Sequence, residues 1–232
     1  MTGERPAHPL HTPSSYADQI ADVLEREILE GRYRRGEHLQ QDEICRRFGV
    51  SRTPAREALR KLQALQLVRL EPNRGAMVRP PSLHELAEVY DVRAELEGYA
   101  ASLAARHRTD GLVAELADTQ RRLSAEATAD APDDERLTRL NDAVHQLVHA
   151  AGGNARLHEL IGDLQRYFPK DTVRLAADTR AELRQLYVDD HARIIDEISA
   201  GRPEPARDAM RDHIHHSRSM LLEFLRDRGF AE

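Results

Sequence analysis

Residues 48–78 read FGVSRTPAREALRKLQALQLVRLEPNRGAMV, and this stretch predicts a helix-turn-helix followed by a β-hairpin. Gly49 ends one short helix, and Val50 forms an apolar elbow before the next one. Ser51 suits the N-cap of the second helix, where its hydroxyl can accept a hydrogen bond from a free backbone amide. Pro54 falls in the first turn, where a missing N–H costs nothing. We therefore expect the second helix to begin at Ser51 or Arg52.

The second helix carries an apolar stripe on one side and basic or hydroxyl side chains on the others. The apolar residues recur at helical spacing and bury one face: Ala58, Leu59, Leu62 and Leu65. A helix of this kind can enter the major groove of DNA, with arginines reaching guanine edges and other cations reaching phosphates. The candidates for these contacts are Ser51, Arg52, Thr53, Arg56, Arg60 and Lys61. For any single arginine, the alternative is a solvated basic face.

The segment LVRLEPNRGAMVRP predicts two short strands around a turn. Gly75 can take the positive φ that such a hairpin needs, and Arg74 would lie at its tip. Upstream, a short helix over about Gln41–Phe48 would place Gln41 where its side chain can reach phosphate. Before it, Ser15 and Asp18 resemble a capping box for a helix that we expect to bury Tyr16, Ile20, Val23, Leu24 and Ile28.

Charge divides the chain unevenly. The 232 residues have a formal net charge of −6, but residues 1–80 hold 14 Lys/Arg against 11 Asp/Glu, and residues 81–232 hold 20 against 29. The excess of cations in the first part is an electrostatic footprint for a polyanion. The acidic remainder would repel DNA, so we expect it to have another role.

Other features of composition exclude several classes of protein. No run approaches the length of a membrane span, and the start of the chain lacks the apolar segment of an export signal, so we expect a cytoplasmic protein with no membrane partner. Residues 1–13 are polar and contain three prolines, which predicts a disordered arm. Cys45 is the one cysteine; it has no partner for an internal disulfide, and we expect it to be buried.

Pro80 and Pro81 mark the expected domain boundary, and the rest of the chain reads as helical. The first helix there, LHELAEVYDVRAELEGYAASLAARH, has so many apolar residues that we expect burial on more than one side. Further helices are predicted over about 109–126, 135–151, from 155 with a break near Pro169, 179–200 and 204–228. The predicted fold is thus mainly α.

The motifs quoted above resemble the GntR family of bacterial transcription regulators, on Ser51-Arg52-Thr53-Pro54, Arg56-Glu57-Ala58-Leu59 and Asn73-Arg74-Gly75. The helical half resembles the FCD domain of one branch of that family, through VYDVRAELEGYAA, AAGGNARL, DDHARIIDEISAGRPEPA and AMRDHIHHSRSMLL. The resemblance implies a winged helix-turn-helix (three helices and a β-hairpin wing) over 14–80. An all-α FCD-like domain for ligand binding, metal binding and dimerisation would follow over 81–232.

Four residues of the helical half are candidate metal ligands: Asn141, His145, His191 and His213. Asn141 and His145 are four residues apart and share a helix face, and the other two lie on later helices. Three imidazoles and an oxygen inside a bundle fit a divalent ion, with zinc favoured and nickel or manganese as alternatives. The alternative is a set of hydrogen-bonded core histidines, whereas His149, His215 and His216 are expected at the surface or behind the ligands.

Metal-binding FCD proteins use an Asp where this chain has Asn141, so the resemblance implies weaker binding, or binding that depends more on an anionic effector. A small organic acid would need a cation or hydroxyl beside the metal. Arg93 is the first candidate, followed by Arg139, Arg166 and Tyr167, although each of these fits a salt bridge at the rim equally well.

The leading hypothesis is a ligand-responsive regulator, a repressor that binds a palindromic operator as a homodimer. The alternative from another class is a metal-dependent hydrolase that uses the histidine site. Neither HExxH nor GxSxG occurs in the sequence, which speaks against hydrolysis. A nucleoid protein without sequence preference would explain the basic part of the chain, but it would not explain the acidic domain.

Overall fold

The computed structural model describes residues 15–72, 74–79, 82–166, 172–177, 179–228 and 230. Backbone contacts group the chain into two compact units, Met1–Pro80 and Pro81–Glu232. The expected arm over 1–13, the boundary prolines and the expected break at Pro169 lie outside the described residues. Among the described residues, no helix combines the length and the apolar character that crossing a bilayer requires.

Within its described residues, the first unit contains three helices and three short strands: α1 (Tyr16–Leu29), β1 (His38–Leu39), α2 (Gln41–Phe48), α3 (Arg52–Ala64), β2 (Val68–Glu71) and β3 (Gly75–Val78). The capping box at the start of α1 is present, with Ser15 and Asp18 exchanging hydrogen bonds. Gly49 ends α2 in the left-handed conformation. The core comes from the apolar faces of all three helices and the sheet, including Ile20, Leu24, Ile44, Leu62 and Val78.

The sheet has one more strand than the predicted hairpin. All pairings are antiparallel in the order β1-β3-β2, with Leu39 opposite Ala76 and Glu71 opposite Gly75. A two-residue strand such as β1 is too short to show an alternating pattern, so the sequence did not reveal it. Gly75 has a φ of +84°, and a Cβ atom there would lie 2.3 Å from the carbonyl oxygen of Leu39. The wing therefore needs glycine at this position for both its conformation and its space.

The described part of the second unit is helical throughout. Its helices are α4 (Leu83–Arg106), α5 (Asp110–Ala127), α6 (Asp134–Ala151), α7 (Ala155–Gln165), α8 (Thr172–Ala176), α9 (Arg180–Arg184), α10 (Asp190–Ser199) and α11 (Pro203–Asp227). A π-helical turn over Gln185–Asp189 joins α9 to α10, so the helix predicted over 179–200 is present but locally widened. α11 packs along α4, and α5, α6 and α10 complete the bundle.

Two expectations about burial were wrong, those for Tyr16 and Cys45. Tyr16 is 70% exposed, because it lies at the first position of α1, before the buried stripe begins. α4 is buried on more than one side, as expected, although Val92 and Tyr99 are exposed. Cys45 is only partly buried. An apolar residue type does not fix its own burial, since much of any protein surface is apolar.

Candidate functional site

The first candidate site lies at the N-terminal ends of α2 and α3. The side-chain amide of Gln41 donates a hydrogen bond of 2.7 Å to the carbonyl oxygen of Arg52. The guanidinium of Arg52 forms an exposed ion pair with Asp42, with 3.2 Å between Nη2 and Oδ1. These two contacts connect the start of one helix to the start of the other.

Ser51 occupies the N-cap of α3, but its side chain makes no capping hydrogen bond. An N-cap hydroxyl accepts from the amide of the second or third helical residue. Here the third residue is Pro54, which has no N–H, so the preferred donor is missing. The expected capping hydrogen bond is therefore absent. The N-cap position of Ser51 and the start of the helix at Arg52 are as predicted.

A cleft of about 890 Å³ brings α2, α3 and the wing together. Five of the predicted DNA-contacting residues line it: Gln41, Arg52, Arg56, Arg74 and Gly75. The other four are exposed on α3 outside the cleft lining: Ser51, Thr53, Arg60 and Lys61. Arg60 pairs with Glu57 at 3.0 Å, and Lys61 pairs with Asp18.

Two carboxylates, Asp42 and Glu71, also line this cleft, and both are paired with basic side chains. Glu71 of the wing accepts a hydrogen bond of 2.9 Å from each of His38 and Arg69. These hydrogen bonds lower the pKa of the Glu71 carboxyl. The three cleft arginines, Arg52, Arg56 and Arg74, outnumber the lining carboxylates of Asp42 and Glu71. The cleft is thus suited to an extended anion.

The second candidate site is a cluster of three buried histidines, one from each of α6, α10 and α11. The ring centroid of His145 lies 5.3 Å from that of His191 and 5.2 Å from that of His213, and the last two rings are 4.6 Å apart. The Nε2 atoms of His145 and His191 are 3.4 Å apart. The convergence predicted from the sequence is therefore present.

Carboxylates lie behind two of these rings. Nδ1 of His145 is 3.0 Å from Oε2 of Glu97, a completely buried side chain on α4. Nδ1 of His213 is 3.5 Å from Oδ2 of Asp190, and His216 also contacts that carboxylate at 2.8 Å. A proton on the Nδ1 atom of His145 leaves its Nε2 lone pair facing the other histidines. This is the arrangement that supports metal-ligating imidazoles.

Burial favours the neutral form of two of the three rings. Burial lowers the pKa of His191 well below its usual range, and the neighbouring histidines reinforce the effect. Burial also lowers the pKa of His213, although Asp190 opposes this. Burial alone would raise the pKa of Asp190, but hydrogen bonds from His213, His216 and Gln185 lower it to about 2. The neutral forms of His191 and His213 keep their lone pairs available for a cation.

The donor atoms fit a divalent metal ion. One ligand atom from each of His145, His191 and His213 lies within 4.8 Å of the others, and a second such group comprises Glu97, His145 and His149. Three imidazoles and an open position suit zinc, whose preference is for nitrogen and sulfur ligands. Asn141 lines the cavity beside His145 and His213, where its amide oxygen would add a neutral donor.

Of the two places expected for His149, the surface and behind the ligands, the structure shows the second. His149 is buried one turn beyond His145, and its Nε2 lies 3.1 Å from Oε2 of Glu97. His215 and His216 are both partly buried; His216 contacts Asp190, and His215 lies 3.7 Å from Asp91.

A cavity of about 80 Å³ adjoins the cluster. Its polar and aromatic lining includes Tyr90, Arg93, Asn141, Asp142, His145, Gln165, Tyr187 and His213. Of the predicted effector contacts, only Arg93 is placed in this lining. Arg139 and Arg166 are exposed on α6 and after α7, where they pair with Glu135 and Asp163, and Tyr167 lies outside the described residues.

Sequence reasoning missed the residues that support the cluster. Glu97 and Asp190 are charged residues in amphipathic helices, where a charged residue is normally predicted to be exposed. The signal that was available is the spacing of Arg93 and Glu97, four residues apart on one helix face. Tyr187 was also missed, and no pattern in the sequence marks the π-helical turn that contains it.

Both units of the chain match known protein families. Residues 16–78 match the family model of bacterial regulatory proteins of the gntR family, and residues 88–216 match that of the FCD domain. The chain is 26% identical over 221 residues to the "Uncharacterized HTH-type transcriptional regulator YdhC" of Bacillus subtilis (strain 168), covering 94% of this chain and 96% of the relative. It is 29% identical over 209 residues to a "Probable D-xylose utilization operon transcriptional repressor" of Paenarthrobacter nicotinovorans, covering 88% and 87%.

Among solved structures, E. coli McbR/YncC shares the fold, with a TM-score of 0.62 and 22% identity over 91% of this chain and 99% of that chain. A helix-turn-helix with a wing, followed by an all-helical domain, and the two family matches together define a bacterial transcription regulator. The chain belongs to the GntR family of bacterial transcription regulators and carries an FCD domain. These families are regulators and not enzymes, so the hydrolase alternative has no support.

Proposed function

We propose that this protein is a repressor that binds a palindromic operator as a homodimer and responds to a small organic acid with the help of a divalent metal ion. In this proposal, residues 14–80 read DNA, and residues 81–232 bind the metal and the effector and dimerise. The observation that carries the DNA-reading part is the cleft that unites Gln41, Arg52, Arg56 and Arg74. The printed name of one relative, a probable operon repressor, supports the repressor assignment.

The positions of the arginines in the cleft support different contacts with DNA for α3 and for the wing. Arg52 and Arg56 project from the first turns of α3, the part of a recognition helix that approaches base edges. Arg74 lies at the wing tip next to Gly75, in a position suited to phosphate or the minor groove. One DNA-reading domain, residues 14–80, offers few contacts with DNA. Two such reader domains related by a two-fold axis would recognise an inverted repeat.

The sensor part of the proposal rests on the cavity beside the histidines. Three buried imidazoles would hold the metal ion, which would supply a Lewis-acidic position for a carboxylate. Asn141, His145 and His213 line the same cavity as Arg93, so an effector there would meet both the ligand set and a cation. Effector binding that favours one arrangement of the helical domain would then alter operator affinity.

Selection of bound fragments from a random duplex library tests the DNA-reading part. We expect enrichment of an inverted repeat and an affinity that falls steeply with salt. Arg52→Ala should weaken binding to the selected site by about 1–3 kcal/mol, whereas Arg106→Ala, an exposed arginine paired with Glu204 on the helical unit, should not. Enrichment of no common sequence, or an unaltered affinity of Arg52→Ala, would contradict the assignment.

Elemental analysis of the purified protein, followed by thermal-shift screening of carboxylic and sugar acids, tests the sensor part. A bound metal or acid should raise the melting temperature by mass action. Chelation should then lower it again.

A further inference from the structure

One buried carboxylate connects the wall of the cavity to the histidine cluster. Oε1 of Glu97 accepts a hydrogen bond of 3.0 Å from Nε of Arg93, and Nη2 of the same guanidinium also lies 3.0 Å from it. Oε2 of the same group is 3.0 Å from Nδ1 of His145 and 3.1 Å from Nε2 of His149. Arg93 and His145 both line the cavity. A single anion is thus shared between a cavity-facing cation and a candidate metal ligand.

The charge of Glu97 is fully engaged in this arrangement. Burial alone would raise the pKa of its carboxyl, but the charge of Arg93 and hydrogen bonds from His145 and His149 lower it well below the usual range. Arg93 is held on its other side by the ring of Tyr90, whose centroid is 4.6 Å from the guanidinium carbon. Among the described residues lining the cavity, Arg93 is the only arginine or lysine, and Asp142 is the only carboxylate.

An anion in the cavity would compete with Glu97 for Arg93. A guanidinium has five N–H donors in a planar fork, and Glu97 takes those on the Nε and Nη2 side. Pairing with a second carboxylate would draw part of the guanidinium's charge away from Oε1. Oε2 would then bind the Nδ1–H of His145 more strongly, and an imidazole whose N–H donates to a carboxylate is a better metal ligand.

We propose that Arg93, Glu97 and His145 form a relay through which a small carboxylate anion in the cavity and a divalent metal ion at the histidines strengthen each other's binding. This inference rests on the proposed metal and organic-acid sites. By linkage, the factor by which the anion tightens metal binding equals the factor by which the metal tightens anion binding.

The full-length wild-type protein provides the first test. Zinc affinity would be measured by competition with a chromophoric chelator at fixed ionic strength, in chloride alone, with acetate, and with acetamide. Acetate should tighten zinc binding by about 5- to 150-fold, the range of ordinary coupling between sites. Acetamide has nearly the same shape and no charge, so it should leave zinc affinity unchanged.

Variants test whether Arg93 and Glu97 transmit the effect of acetate on zinc affinity. Arg93→Met should still bind zinc but lose the response to acetate, and Arg93→Lys, which keeps the charge without the fork, should respond in part. Glu97→Gln should weaken zinc binding by about 10- to 100-fold, as expected when a carboxylate behind a ligand is removed. Arg139→Met is the matched control, because Arg139 also pairs with a glutamate one helical turn away, Glu135, but is exposed; it should respond like wild type.

The outcomes separate the relay from the site on which it depends. A wild-type protein that binds no zinc would overturn the proposed metal site and the relay with it. Zinc binding that acetate and acetamide affect alike would leave the metal site standing and overturn the relay. An acetate response of wild-type size in Arg93→Met would also overturn the relay, since the anion would then act on the ion directly.

Discussion

The side-chain amide of Gln120 on α5 donates hydrogen bonds to the carbonyl oxygens of Tyr187, at 3.0 Å, and Val188, at 3.2 Å. Both carbonyls belong to the π-helical turn, where the widened backbone disrupts the usual pairing along the helix. Tyr187 lines the cavity, and His191 follows it one turn later. Gln120 thus stabilises the local geometry that brings His191 to the cluster.

Replacement of Gln120 tests this role. Gln120→Leu should lower the free energy of unfolding by about 1–3 kcal/mol, because it removes the donor of two hydrogen bonds to partly buried carbonyls, and it should also weaken zinc binding. Chemical denaturation and chelator competition would measure the two effects. Ser124→Ala is the control, since it removes a third acceptor of the Gln120 amide but leaves the bonds to the π-helical turn. Equal behaviour of the two variants would argue against the role.

The wing supplies a second prediction, through two glycines with positive φ. Gly36, at +88°, has no atom within 4 Å of a Cβ built on it, whereas a Cβ at Gly75 would collide with the backbone of Leu39. Gly36→Ala should therefore cost only the left-handed conformation, about 1–2 kcal/mol. Gly75→Ala should cost more and should also weaken DNA binding. Thermal unfolding of both variants would decide this, and equal losses would contradict the close approach of β1 to the wing.

Asn141 gives a prediction about the metal. Asn141→Asp would add a negative charge beside His145 and His213, and an ionised carboxylate binds a divalent cation more strongly than a neutral amide does. Zinc affinity measured by chelator competition should rise at least about tenfold, comparable to the loss when a supporting group is removed. Asp142→Asn serves as the comparison, and an unaltered affinity in Asn141→Asp would place residue 141 outside the ligand set.

Stability of the metal-free protein should depend on pH. Burial lowers the folded-state pKa of His149, His191 and His213, while the same groups titrate near 6.5 in the unfolded chain. Below that pH the unfolded chain binds more protons than the folded one, so the unfolding free energy falls as the pH falls. After treatment with a chelator, the melting temperature should drop between about pH 7.5 and about pH 5.5, and less steeply in His191→Gln. A flat profile would contradict the burial of these rings.

The reader domain was largely predictable because its signals are local. A glycine at the end of α2, a proline in the first turn of α3 and a turn containing glycine each act on the few residues around them. The bounds of α2 and the start of α3 were therefore found from the sequence alone. Ser51 shows the limit of such reasoning, because its expected capping bond required a donor that Pro54 does not have.

The support of the histidine cluster was not predictable, because it depends on contacts between distant segments. His145 could be paired with Asn141 by spacing, but nothing near His145 in sequence points to Glu97, 48 residues earlier. The same limit explains the effector candidates. The sequence gives no sign that distinguishes Arg93 from Arg139 and Arg166. Only the packing of the helices places Arg93 in the cavity wall and the other two in exposed ion pairs.

The edge strand β1 has a consequence for the design of chimeric regulators. Its residues, His38 and Leu39, pair with the wing strand β3, and α2 begins two residues later. A grafted segment that started at Gln41 would contain α2, α3 and the wing strands β2 and β3. It would lack β1, the strand that pairs with β3. To transplant operator specificity intact, the exchanged segment has to start upstream of His38.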